Sequence, residues 1–290
     1  IFWLLSKIGS FLGWREFVTA FIVMAIAGNL PNLFVDLNAA LQGKPEIAFG
    51  DIIGGNLADL TILLAIAAFF SKKGLSAKRE MVQKTAMFTA AIAILPLLLM
   101  WDGAMDRPDG IILVFAFLFY SWWLFAERKR FKKIYHHHTV SKEPVQLKTF
   151  IKDIIEVVIL IALLLAAAQA VVWSAEFFAG ELGIPLSLVG ILIIGLGNSI
   201  PDAYFAILAA KKEENWMVLG ELMGSVVSCA TLVLGIVALI APFEIKDLSL
   251  FVVARTFMII AAAFSLLFVM TDKKITKKEP KLWSHGTIGF

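Results

Sequence analysis

Two stretches of the chain concentrate side chains able to ligate a hard cation. In the first, Asn29, Asn32 and Asp36 recur at i, i+3 and i+7, which places them on one helical face, with Pro31 among them. Further along, Asp51, Gly55 and Asp59 make a second stripe at i, i+4 and i+8. The second stretch repeats the device with Asn198, Ser199, Pro201 and Asp202, followed by Glu221, Ser225 and Cys229. Carboxylate, amide and hydroxyl oxygens without a His or Cys cluster form the donor set that suits Ca2+ or Na+ rather than zinc or copper. Each proline removes a backbone donor, Pro31 freeing a carbonyl near Ala27, so an interrupted helix lining a cavity is expected at both places.

These groups lie in apolar sequence, where a carboxylate costs a few kcal/mol or more unless it faces water or protein. Asp59 and Asp202 sit deepest in their segments and are the first expected ligands. Asp51 and Glu221 fall nearer segment starts, where an interfacial acid is the competing reading. Asp36 is nearer the exit of its helix and is a candidate third carboxylate. Cys229 reads as a small packing residue. Arg255 is expected to pair with an acid or to snorkel.

The elements that must position them are membrane helices. Of 290 residues, 60% are hydrophobic and only 17% charged, with a mean hydropathy of +0.85, which excludes an ordinary soluble enzyme, a secreted disulfide scaffold and a disordered chain. Nine apolar segments are read at 1–12, 14–41, 47–70, 84–101, 110–126, 151–175, 184–210, 216–241 and 249–270. The first, and a possible helix start at 286–290, read as incomplete terminal helices. Lys and Arg crowd into four connections, which hold 19 of the 26 basic residues and should be cytoplasmic, while the alternate connections carry acids. The run His136, His137, His138 falls in the longest basic loop and reads as solvated. Most of the Trp residues lie near segment ends, as interfacial anchors. The expected partners are the lipid bilayer and small inorganic cations, without nucleic acid.

Sliding the chain against itself by 170 residues aligns Trp3 with Trp173, Gly13 with Gly183, Pro31 with Pro201, Gly50 with Gly220, Gly54 with Gly224 and Thr61 with Thr231. The expected architecture is an all-α polytopic membrane protein of about ten transmembrane helices, arranged as two inverted five-helix repeats. Residues 1–126 form the first repeat, 127–149 a basic cytoplasmic linker and 150–290 the second. Inverted repeats of this kind place a substrate site at the repeat interface near the bilayer midplane.

The first motif stretch, 27–61, reads Ala27-Gly28-Asn29-Leu30-Pro31-Asn32 and then Gly50-Asp51-Ile52-Ile53-Gly54-Gly55-Asn56. The second, 197–231, reads Gly197-Asn198-Ser199-Ile200-Pro201-Asp202 and then Gly220-Glu221-Leu222-Met223-Gly224-Ser225-Val226. These resemble the paired alpha-repeat motifs of the calcium:cation antiporter superfamily, the sodium/calcium exchangers and their relatives. The resemblance implies electrochemically driven exchange of Ca2+ for Na+ or H+. Where similar exchangers present a glutamate from each repeat, this chain has Asn32 and Asp202. Gly28, Asn29 and Gly55 stand at hydroxyl-ligand positions of the first repeat, while Ser199 and Ser225 keep hydroxyls in the second.

The reading is a secondary-active antiporter of the plasma membrane, without a cofactor, exchanging Ca2+ for Na+ at Asn29, Asn32, Asp59, Asn198, Ser199, Asp202 and Ser225. Asp36, Asp51 and Glu221 are possible additions. Alternatives are an H+-coupled antiporter, a passive channel, and a non-transporting sensor or scaffold. An enzyme fits least, since no nucleophile, base and orienting group converge in the motifs.

Overall fold

The computed structural model of the protein describes residues 16–71, 75, 80–126, 147–212, 215–245 and 248–270. The expected segment 1–12, the histidine run and the expected helix start at 286–290 lie outside them. Eight helices are present among the described residues. They are α1 (Glu16–Leu41), α2, α3 (Glu80–Leu99), α4 (Arg107–Ala126), α5 (Leu147–Leu182), α6, α7 and α8 (Leu248–Met270). Three of them are composite. α2 passes from Pro45–Ala58 through a π-helical turn, Asp59–Leu63, into Leu64–Phe70. α6 passes from Leu186–Val189 through Gly190–Gly195 into Leu196–Lys211, and α7 from Asn215–Val227 through Ser228–Val233 into Leu234–Ile240.

Five of the described helices are long and apolar enough to cross a membrane. Seven of the expected segments match helices to within four residues at both ends, because both length and the absence of charge are local properties. Two expectations need correction. α5 begins at Leu147, inside the expected 127–149 linker, and continues to Leu182, well past the expected end at residue 175. Nor do Pro31 and Pro201 interrupt their helices: α1 and α6 run straight through them. A single proline removes one backbone bond, and both rings lie on exposed faces, so the bonds on either side hold each helix together.

The departures from α geometry sit elsewhere. The π turns of α2 and α7 fall at equivalent places in the 170-residue register. In each, a threonine hydroxyl donates to the carbonyl four residues back, Thr61 to Leu57 and Thr231 to Val227, both at 2.5 Å. Single π turns inside α-helices commonly accompany functional sites, because the extra residue re-aims the side chains around it. Asp59 opens one of these turns and Cys229 lies in the other.

Packing sorts the helices into inner and outer positions. α7 and α2 are the most enclosed, with 78% and 61% of their spanning windows buried, against 17% for α5. One core joins Phe49, Ile52 and Ile53 of α2 to Leu97 of α3, Leu234 and Val237 of α7 and Met258 of α8. A second joins Val35 and Ala39 of α1 to Val172 of α5 and Val189 and Ile194 of α6. Outward, α4, α5 and α8 present Phe115, Trp122, Leu163, Phe177, Phe257 and Phe264, large apolar side chains that suit lipid.

Connections on one side are tied together. β1 (Ala104–Met105), after α3, pairs antiparallel with β2 (Phe243–Glu244), before α8. α3 therefore ends on the side where α8 begins, so these two helices, equivalent in the 170-residue register, run in opposite directions. Arg255 of α8 places its guanidinium 4.6 Å from the centre of the Trp101 ring at this end of the bundle. The 42–44 turn is fixed to α5, where Lys44 pairs with Glu176 and Gln169 bonds to Asn38 and Gln42.

Candidate ion-binding cavity

Polar side chains from α1, α2, α6 and α7 meet inside the apolar bundle. α1 contributes Asn32 and Asp36, α2 Asp51, Gly55, Asn56 and Asp59, α6 Ser199 and Asp202, and α7 Ser225 and Cys229. Together they line a cavity of about 10 Å3, room for about one water molecule or one ion, partly open to the exterior. On each helix the lining residues recur every three or four positions, so each element turns a single polar stripe inward.

α2 and α6 can approach closely enough to build this cavity because glycines face one another at their crossing. A Cβ on Gly50 would stand 2.3 Å from the carbonyl oxygen of Ser187, and one on Gly54 2.3 Å from that of Ile191. Across the crossing, a Cβ on Gly195 would stand 2.8 Å from the backbone nitrogen of Gly55. Small residues at such a contact are how membrane helices bring their backbones together.

Asp36, Asp51 and Asp59 are at most 3% exposed, despite their charge. Asp51 is therefore not the interfacial acid that its position near a segment start allowed, and Asp36, near the exit of its helix as expected, is nevertheless enclosed. The acids are strung along the cavity. Asp36 lies against Asp51, and Asp59 is within electrostatic reach of Asp51, Asp202 and Glu221. Both oxygens of Asp36, Oδ1 of Asp59 and Oε2 of Glu221 have no hydrogen-bond partner among the described residues. No three His, Cys, Asp or Glu side chains among them close on one point tightly enough to hold a metal by themselves. An ion in this cavity needs amide and hydroxyl oxygens as well.

Two of the expected ligands are engaged elsewhere. Asn198 turns its amide onto Asp51, donating from Nδ2 at 3.0 and 2.8 Å to the two carboxylate oxygens. Asn29 joins α1 to α7: its Nδ2 donates to Ser228 Oγ at 2.6 Å, and its Oδ1 accepts from Ser225 Oγ at 3.1 Å and from the Cys229 thiol at 3.6 Å. Ser228 in turn donates to the Ser225 carbonyl at 3.1 Å. Ser199 donates to the Gly195 carbonyl at 2.9 Å and keeps its oxygen lone pairs for the cavity. Glu221 flanks the lining residues rather than joining them.

Sequence reasoning passed over Asn56 as a site residue, though it lines the cavity; Cys229 packs in the core as expected and also borders the cavity. Asn56 could have been found from its spacing, since it precedes Asp59 by three residues and so shares its helical face. Cys229 is marked locally only by its place four residues after Ser225 on the same helical face. Its placement follows from the contact with Asn29, 200 positions away.

The Asn29 network carries a prediction. Asn29→Ala removes the acceptor of the buried Ser225 hydroxyl and the donor to Ser228 Oγ, and lowers unfolding stability by about 1–3 kcal/mol. Thermal unfolding of the purified variant checks this, and a midpoint within a degree of wild type would rule the network out as a structural tie.

Relatives agree with this architecture. The inner membrane protein YrbG of Escherichia coli (strain K12) is 25% identical over 251 residues, covering 84% of this chain and 76% of its own length. The sodium/calcium exchanger MaX1 of Methanosarcina acetivorans is 23% identical over 308 aligned positions, 94% of this chain and 87% of that one. Among solved structures, the sodium-calcium exchanger NCX_Mj, soaked with 100 mM Na+ and 10 mM Sr2+, superposes with a TM-score of 0.64 at 21% identity. That match covers 97% of this chain and 89% of the other, and it shows a shared fold. The profile of the sodium/calcium exchanger protein family matches residues 1–126 and 153–283, leaving out only the basic connection and the last few residues. The chain is thus an integral membrane protein that belongs to the sodium/calcium exchanger protein family.

Proposed function

We propose that the protein is a secondary-active antiporter exchanging Ca2+ for Na+ by alternating access, with Asp59 and Asp202 at the centre of its ion site. The observation that carries this is a carboxylate-lined cavity enclosed by four apolar helices, with buried oxygens that have no protein partner. Ca2+ takes about six to eight oxygen ligands in flexible geometry. Asp59, Asp202, the amides of Asn32 and Asn56, and the hydroxyls of Ser199 and Ser225 supply a mixed set of that kind. Asn29 and Asn198 act as positioning residues, the first holding Ser225 and the second holding Asp51.

Coupling follows from electrostatics. Two carboxylates in an apolar enclosure are neutralised by one Ca2+ or by two Na+, and either loading excludes the other. If the cavity opens to each side in turn only when loaded, the two fluxes are tied together. Two inverted five-helix repeats, 1–126 and the part of the chain from α5 onward, would supply the two openings. The opposite directions of α3 and α8 support that arrangement. The basic connections, including 127–149, would face the cytoplasm across a plasma membrane.

Proton coupling is a second reading, favoured by the carboxylates present beyond the two that one Ca2+ requires. Uptake of calcium isotope into proteoliposomes loaded with Na+, with K+, or under an imposed pH gradient separates the two. Uptake is expected only against internal Na+. Uptake driven by the pH gradient alone would transfer the assignment to proton antiport, and none under any gradient would sink transport altogether in favour of a sensor or scaffold.

A further inference from the structure

The acids of the cavity do not follow the internal repeat. In the 170-residue register Asn32 of α1 matches Asp202 of α6, and both line the cavity. The acid of α1 stands one helical turn further on, at Asp36, where α6 has the buried Ala206. Asp36 is 0% exposed, and neither of its oxygens has a hydrogen-bond partner. It lines the cavity against Asp51, whose two oxygens are both engaged by Asn198 from the other repeat. One acid of this pair is thus held in place by a neutral donor, and the other, when both are ionised, faces only the carboxylate of Asp51. Among the described residues, no Lys or Arg lines the cavity to compensate them. Two carboxylates side by side in apolar surroundings repel strongly unless a metal cation or a shared proton stands between them.

Depth separates this pair from the remaining acids. Asp36 is five residues from the end of α1 and Asp51 six from the start of α2, which puts both about 7–9 Å from the 42–44 turn along their helices. Asp202 and Glu221 enter from the opposite end, nearer the 212–214 connection. Asp59 lies between the two groups, within electrostatic reach of both.

We infer that Asp36 and Asp51, the latter oriented by Asn198, form a cation position of their own, displaced from the Asp59–Asp202 position toward the 42–44 turn. Its occupant is a hard alkali or alkaline-earth cation held through carboxylate oxygens. This rests on the exchanger reading above and extends it from one ion position to two.

Thermal unfolding of the purified full chain, titrated with NaCl or with CaCl2 against a choline background of constant ionic strength, tests the inference by ligand stabilisation. Asp36→Asn nearly preserves shape while removing the charge. It is expected to raise the concentration of one cation needed for half-maximal stabilisation at least tenfold, with less than a threefold change for the other. A shift for Na+ identifies an alkali position, a shift for Ca2+ an alkaline-earth one, and a tenfold shift for both means that the two ions occupy it in turn. Unchanged titrations alongside a wild-type protein that both ions stabilise would overturn this inference and leave the exchanger reading standing. A wild-type chain that neither ion stabilises would overturn both. If Asp36→Asn does not purify, Asp36→Ser carries the same test.

Discussion

Asp59→Asn and Asp202→Asn are each expected to reduce cation exchange in proteoliposomes by roughly two to three orders of magnitude. Removing one charged partner from a buried ion contact costs about 3–5 kcal/mol, which is a loss of occupancy on that scale. These two side chains approach the cavity from different repeats, so neither replaces the other. Folding should survive. Without cations, Asp59 has a buried oxygen with no partner and faces Asp51, Asp202 and Glu221, so losing its charge relieves repulsion. Unfolding of the ion-free variants is therefore expected at or above the wild-type temperature, with stabilisation by added Ca2+ lost. Wild-type exchange in both variants would remove these residues from the ion site.

Gly54→Ala, like Gly50→Ala, should be among the most damaging single methyls in the described structure. Its Cβ would stand 2.3 Å from the Ile191 carbonyl oxygen and 2.9 Å from the Ile191 Cα, and backbone cannot swing aside as a side chain can. α2 and the π turn of α6 must then separate, which opens the wall of the cavity as well as the core. A loss of about 3 kcal/mol or more is expected, at the upper end of overpacking costs. Gly180→Ala is the matched control, because a Cβ there meets nothing within 4 Å. Thermal unfolding of the two proteins should show a large drop for the first and no loss for the second. Equal midpoints would mean that the α2–α6 crossing tolerates expansion.

Much of this could be read along the chain because a bilayer imposes local rules. A helix that crosses it needs about twenty residues with few charges, and the composition of each segment answers that without reference to any other. The ends of α6 and α7 accordingly fall within two residues of expectation. The paired motifs were also visible, since Asn32 and Asp36, or Ser199 and Asp202, share a helical face through spacing alone. The prolines misled because their chemistry is local while their consequence is not. Pro31 and Pro201 free carbonyls as expected, but the helix around each is carried by its other bonds and by its neighbours.

The sequence by itself determined the membrane helices, their polar stripes and the oxygen-rich chemistry of those stripes, since each depends on composition and on the 3.6-residue period. Only the tertiary structure decided what the polar groups meet. The rotation of each helix and its closeness to the next are set by contacts between distant residues, as where Gly50 and Gly54 admit the backbone of α6. Those contacts turn Asn198 onto Asp51 and Asn29 onto Ser225 and Ser228, and they bring Asn56 and Cys229 to the cavity. They also bury Asp36 with both oxygens unpaired, because one helix's period says which residues share a face but not which neighbour that face will touch.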